Sequence, residues 1–282
     1  MGLLGECTMN WRIINSGIAD AATNMAVDEA ILLAHSAGKV PPTLRFYGWK
    51  PASVSLGYFQ RSKSEIDVEQ CKKQQIDVVR RLTGGRAVLH DAELTYSIVV
   101  REDAPQIPRT ITASYCYFSK GLLAGLEQLG VKAEMTVPIA AYGQKKKQPA
   151  SAACFDAPSY YELTVAGRKL VGSAQVRKNG VILQHGSLLL RFSTEQFVGL
   201  LRMQSEEKRE QMIQMLKSRA TSLEEVLGRP VTWEEVYRPM PEGFATALGI
   251  QLERSELTAE EQAISKELAA TKYSQDSWNM LR

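Results

Sequence analysis

Residues 160–191 read YYELTVAGRKLVGSAQVRKNGVILQHGSLLLR, and this stretch decides the fold class. It is rich in Val and Leu, and two turn signals divide it, Ala166–Gly167 and Lys178–Asn179–Gly180. Asn-Gly tolerates positive φ at both central positions, which suits the tight turn of a hairpin. The pattern predicts three strands, 160–165, 168–176 and 181–191, joined as an antiparallel meander.

Toward the N-terminus the periodicity predicts a strand over 9–16 and a helix over 24–36, with Met25, Ala26, Ala30, Leu33 and Ala34 near one face. Gly38 stops that helix, and Pro41–Pro42 forces an extended exit. Strands follow over 43–49 and 53–58, broken at Lys50–Pro51, then a helix over 64–75. A short strand over 77–80 runs into Thr83–Gly84–Gly85, a strand covers 93–100, and a helix covers 110–129. Residues 142–153, YGQKKKQPASAA, are polar and basic and read as a loop.

Beyond Ser193 the pattern turns helical. Four capping-box pairs appear, Ser193/Gln196, Ser222/Glu225, Thr232/Glu235 and Thr258/Glu261. No linker precedes them. The expectation is a catalytic core over 1–192, with 193–282 as a helical elaboration of the same domain.

Bulk properties narrow the function. The 282 residues are 44% hydrophobic and 23% charged, so a sizeable core can form. A net charge of +3 is too weak to make nucleic acid the expected partner. No apolar run is long enough to span a bilayer. The start MGLLGECTMNWRI lacks the basic n-region of a secretory signal, and Glu6 stands where a myristoylation site needs Ser or Thr. The expectation is a cytoplasmic protein without a membrane partner. Four scattered cysteines and three histidines show no metal-ligand spacing, so no metal is expected.

Among Cys7, Cys71, Cys116 and Cys154, only Cys154 falls at a loop-to-strand junction, where nucleophiles tend to be placed. The same position suits a cysteine that merely packs at a strand end. Lys169 bears on the choice. The Ala166–Gly167 turn sets it opposite Thr164, and a nearby ammonium favours a thiolate. An edge or solvent-facing lysine fits the strand pattern as well. Arg80–Arg81 ahead of Gly84–Gly85 suggests close backbone approach to an anionic or polar ligand group, or else a tight turn with solvated charges. His185, inside VILQHGSLLL, reads as a hydrogen-bonded core residue.

The segments RRLTGGRAVLHDAELTYSIV, GRKLVGSAQVRKNGVILQHGSLLL, NMAVDEAILL and RFYGWKPASVSLGYFQ together resemble the lipoate-protein ligase, octanoyltransferase and biotin-ligase superfamily. They cover roughly residues 9–191 in the family's order. CFDAPSYYEL, with its cysteine ahead of the lysine strand, and KYSQDSWNMLR are similar to the LipM-type octanoyltransferases.

The resemblance implies an α+β fold, a mixed, largely antiparallel sheet flanked by helices. It implies that Cys154 carries an acyl thioester and that Lys169 lowers its pKa or shuttles protons. Arg81, Thr83, Gly84 and Gly85 would line the acyl and pantetheine-facing pocket, with His90, Ala174 and Gln175 as neighbours.

The donor implied is octanoyl-acyl carrier protein. The acceptor is a lipoyl-domain protein such as the glycine-cleavage H protein, and no cofactor is needed. Arg86 stands where ATP-using relatives carry a third glycine, which argues against an adenylate site. Alternatives are an amidotransferase between lipoyl-domain proteins, an ATP-dependent lipoate ligase, and a non-catalytic acyl- or lipoyl-binding protein. The lysines at 145–147 are a candidate steering patch for acidic carriers, or simply a solvated loop.

Overall fold

The structure, a computed structural model, describes residues 10–136 and 162–281. Up to residue 136 the elements are β1 (Asn10–Ala19), α1 (Ala21–Ser36), β2 (Thr43–Trp49), β3 (Ser53–Leu56), α2 (Ser62–Glu65), α3 (Val68–Lys73), β4 (Asp77–Arg80), β5 (Val88–His90), β6 (Glu93–Arg101), α4 (Ile111–Gln128) and β7 (Glu134–Thr136). After residue 161 come β8 (Glu162–Val165), β9 (Arg168–Lys178), β10 (Val181–Leu189), α5 (Thr194–Gly199), α6 (Glu206–Arg219), α7 (Leu223–Leu227), α8 (Trp233–Tyr237), α9 (Met240–Leu248), β11 (Gln251–Arg254), α10 (Ala259–Leu268) and α11 (Asp276–Asn279).

The large sheet runs β11-β1-β2-β6-β10-β9-β8-β7, and a small one runs β4-β3-β5. In the large sheet only β11/β1 and β1/β2 are parallel; the meander and its neighbours pair antiparallel. This agrees with the expected mixed, largely antiparallel α+β fold. β6 is buried on both faces. Tyr96, Ile98 and Val100 point to a core shared with Phe118 and Leu122 of α4 and Phe244 of α9, while Val99 packs with Ile31 and Leu32 of α1. Helices α4 and α9 cross on glycines. A Cβ at Gly243 would come 2.4 Å from the Gly125 nitrogen, so only glycine lets these backbones approach so closely.

Several expectations shift. Helix α1 starts at Ala21 because the Asp20 carboxylate accepts from Thr23 N at 2.7 Å. The helix expected over 64–75 is two helices, since Ile66 bridges Leu201 and Asp67 N donates to Leu200 O before Asp67 caps α3. β3 stops at Leu56, because Gly57 turns where a Cβ would meet Gly85 O at 2.0 Å.

Of the four capping boxes, Thr258/Glu261 is fully reciprocal. Ser193 and Thr232 cap with their own side chains, but Ser222 makes no side-chain cap bond. Glu225 instead accepts from Thr221 and Arg168. The region after Ser193 also returns a strand to the large sheet, β11, which its polar sequence does not announce. Among the described residues no helix is long and apolar enough to cross a membrane.

Candidate active site

A cleft of about 420 Å³, counting its part open to solvent, lies where β3, β5 and the 81–86 loop face β9 and β10. Of this only about 40 Å³ is space that the centre of a water-sized sphere can occupy, well below the roughly 300–1,000 Å³ usual for small-ligand sites. Gly85 is exposed and Ser173 and Ala174 are half-buried, so they form the mouth. Tyr47, Ser55, Thr95 and Ser187 are buried and form the floor.

The arginines ahead of the glycines shape this mouth. Arg81 donates to Ser55 O at 3.0 Å, to Gly84 O and Arg86 O at 2.8 Å, and to Thr83 Oγ1 at 3.1 Å. Buried Arg80 donates to the carbonyls of Gly57, Tyr58 and Gln60 at 2.8–3.1 Å, and to Asn279 O at 3.0 Å. These guanidiniums bind the protein's own carbonyls and hold the turn, a structural use that the sequence reading had not assigned them.

Behind the wall lies a polar relay. Asp28 of α1 pairs with Arg45 at 2.7 Å, accepts from Ser97 and Tyr47, and meets His185 Nδ1 at 3.1 Å. His185 Nε2 lies 2.7 Å from Thr83 Oγ1. A carboxylate only accepts, so the ring donates from Nδ1 and accepts the Thr83 hydroxyl at Nε2. Burial would raise the Asp28 carboxyl, but Arg45 and His185 outweigh it and hold it below its ordinary value. Burial likewise lowers His185, against the pull of Asp28 and with help from Arg81 and His90, which favours the neutral ring.

His90 stacks on Trp49 with centroids 4.0 Å apart, and its nitrogens meet Glu93 Oε1 at 2.8 Å and Ser55 Oγ at 2.7 Å. Arg81, Gly85, His90 and Ala174 thus line the cleft. Thr83 stands one layer behind. Gly84 turns beside Phe59, whose ring is 3.9 Å from the position of a Gly84 Cβ. Gln175 points away, bonding Gln184 Oε1 at 3.0 Å on the α4 side.

Lys169 is 4% exposed, and its Nζ is 2.6 Å from Glu162 Oε1, so it is no solvent-facing gatekeeper. Its orientation follows from a bulge. Leu163 pairs with Val171, but Thr164 pairs with Lys169, leaving Leu170 as the extra residue. Cross-strand partners share a face, so Val171, Ser173 and Gln175 lie on one face and Lys169 lies on the other, with Gly172 and Ala174. The ammonium is therefore on the cleft's face, three positions before Gly172, roughly 10 Å along the strand.

Cys7, Cys154 and the lysines at 145–147 lie outside the described residues. Cys71 is buried, which pushes its thiol up to about 11, and Cys116 is half-buried on α4. Among the described residues no group of three or more His, Cys, Asp or Glu could hold a metal ion.

Sequence reasoning missed Asp28, Glu162 and the role of Tyr47 and Trp49. One signal was present: Asp28 is a charge among the apolar residues of NMAVDEAILL.

The lipoyl protein ligase A/B catalytic domain matches residues 20–245. The protein named Octanoyltransferase LipM in Kyrpidia tusciae is 50% identical over 269 residues, 95% of this chain and 98% of that one. Its namesake in Bacillus subtilis is 48% identical over 273 residues, 96% and 98%. A bipartite lipoate protein ligase from Thermoplasma acidophilum superposes with a TM-score of 0.80 at 25% identity, covering 96% of both chains. The family model and these relatives show that the chain belongs to the lipoyl protein ligase A/B catalytic domain family and falls among its LipM octanoyltransferases.

Proposed function

We propose that this enzyme moves an octanoyl group from octanoyl-acyl carrier protein, through a thioester on Cys154, to a lysine of a lipoyl-domain protein such as the glycine-cleavage H protein. The observation that carries the reading is Lys169, a buried ammonium bonded to Glu162 on the cleft's face of the sheet. A lysine on a buried sheet face adds nothing to solubility, and a cation near a thiol favours the thiolate. The names of the relatives support the octanoyl group.

In the first step the Cys154 thiolate attacks the donor's thioester carbonyl. A carbon–sulfur bond forms to Cys154, the bond to the carrier's sulfur breaks, and the carrier leaves as a thiol after taking up a proton. In the second, the neutral amine of the acceptor lysine attacks the Cys154 thioester. The amide forms, the nitrogen gives up its proton, and Cys154 is released. Each step exchanges an already activated acyl group, so no nucleotide is required. Backbone N–H groups of the Gly84–Gly85 turn are the proposed donors to the tetrahedral oxyanion. Arg86, a long cation in place of a third glycine, supports a route without an adenylate.

The test is intact mass after incubation with octanoyl-acyl carrier protein without ATP, beside Cys154→Ala. The expected result is one octanoyl adduct on the wild type alone, discharged by an apo lipoyl-domain protein. An adduct only from an octanoylated lipoyl-domain protein would make the enzyme an amidotransferase. Product that needs free lipoate and ATP, and survives Cys154→Ala, would make it a ligase. Binding without turnover would leave a carrier-binding protein.

A further inference from the structure

We propose that the exposed face formed by Phe59, Arg61 and Lys63 docks the acyl donor, an acidic carrier protein that delivers its chain on a flexible arm. The inference rests on the transferase reading above.

Phe59 is 68% exposed, and its loop is firmly held. Three of its carbonyls accept from buried Arg80, Gly57 N donates to Gln60 Oε1 at 2.9 Å, and Tyr58 N donates to Thr83 O at 2.9 Å. From behind, Tyr58 packs edge-on to Phe59 with centroids 5.0 Å apart and rests against Trp278 at 5.9 Å. A loop fixed this way cannot withdraw its phenylalanine into the core. Most of its surface stays open to water, and covering that surface is favourable at about 25 cal/mol per Å² of apolar area.

The position fits delivery. The ring adjoins Gly84, next to Gly85 at the mouth of the cleft. Beyond it Arg61, Lys63 and Ser64 complete a shallow depression. Arg61 and Lys63 are exposed, and neither guanidinium nor ammonium has an ion-pair partner among the described residues. The nearest acid in sequence, Glu65, accepts from the side chain of Gln60 and, at 3.2 Å, from the Arg61 backbone nitrogen. The face is thus an aromatic anchor with two cations that have no ion-pair partner among the described residues, the complement of an acidic surface carrying an apolar patch. The donor is favoured over the acceptor because the face is continuous with the mouth through which an acyl chain enters.

The experiment measures the rate of Cys154 loading by octanoyl-acyl carrier protein and, separately, by octanoyl-pantetheine, which has no protein surface. Wild type is compared with Phe59→Ala and with the double variant Arg61→Glu, Lys63→Glu. The expected result is a loss of about tenfold in kcat/KM for the carrier, a flatter salt dependence in the double variant, and unchanged loading by octanoyl-pantetheine. Carrier loading that equals wild type in both variants overturns the inference alone, as does a defect confined to discharge onto the lipoyl-domain acceptor. A defect that is equal for both donors also overturns it, because the loop would then serve the cleft and not docking. A wild type that takes no acyl group from either donor overturns the transferase reading with it.

Discussion

Lys169 Nζ and Glu162 Oε1 lie 2.6 Å apart across β9 and β8, on the cleft's face of the sheet. If that ammonium assists Cys154, Lys169→Met should lower octanoyl loading by roughly 10²–10⁴-fold, the usual weight of a proton-transferring group. Alkylation of Cys154 by iodoacetamide at neutral pH, followed by mass, should slow in parallel. Loading that stays within twofold of wild type would remove Lys169 from the mechanism. Glu162→Gln keeps the shape and should show a smaller loss.

The Asp28–His185 pair predicts acid sensitivity. Both groups are lowered in the folded state, so the unfolded chain binds protons first as the pH falls. The His185 contribution is complete above its ordinary 6.5 and is lost as the pH drops toward the lowered folded value. A second loss follows below 4.5, where Glu29 and Glu261 act. Burial raises each of these carboxyls, but Lys272 and Arg12 respectively outweigh it. Urea midpoints between pH 7 and 5 should fall for wild type and stay nearly flat for His185→Asn. Parallel slopes would show that the ring does not titrate in this way.

The α4–α9 crossing predicts a sharp contrast between glycines. Gly243→Ala would drive a methyl into the Gly125 backbone and should cost about 1–3 kcal/mol by overpacking. At Gly199 a Cβ meets nothing within 4 Å, so Gly199→Ala should be neutral or mildly stabilising. Thermal or urea unfolding of the two variants checks both.

Asn279 accepts from the Arg80 backbone nitrogen at 2.9 Å and donates to Tyr273 O at 2.8 Å. Asn279→Ala leaves a buried N–H unmet and should cost about 1–3 kcal/mol. Because Arg80 also holds the 57–60 loop beside the mouth, KM for the acyl donor should rise in the same variant. An unchanged KM with reduced stability would separate the tail from the mouth.

The sequence made the meander legible because its turns are chemical. Asn179–Gly180 and Ala166–Gly167 occupy positive φ, and the register that sets Lys169 opposite Thr164 follows from the turn alone. The bulge at Leu170 was not legible, because an extra residue exists only relative to the partner strand. Plain alternation would have grouped Lys169 with Ser173 and Gln175; the bulge sets it with Gly172 and Ala174. The Asp28 relay draws on α1, β2, β6, β10 and the 83–85 turn, so no local pattern could announce it. The paired arginines were visible, but whether they meet a ligand or a carbonyl depends on the loops that fold over them.

β1 borders β11 through a pairing that begins Asn10↔Gln251, and Arg12 reaches Glu261 across a separation of 249 residues. Such a contact closes a very long loop, an ordering step that local structure cannot anticipate. During synthesis β1 emerges before β11 and waits for its partner while all the residues between them are made. Until β11 arrives, one side of β1 presents free backbone donors and acceptors to any passing strand, including β1 of another nascent copy. The later strand of this pair therefore acts as the guard of the earlier one.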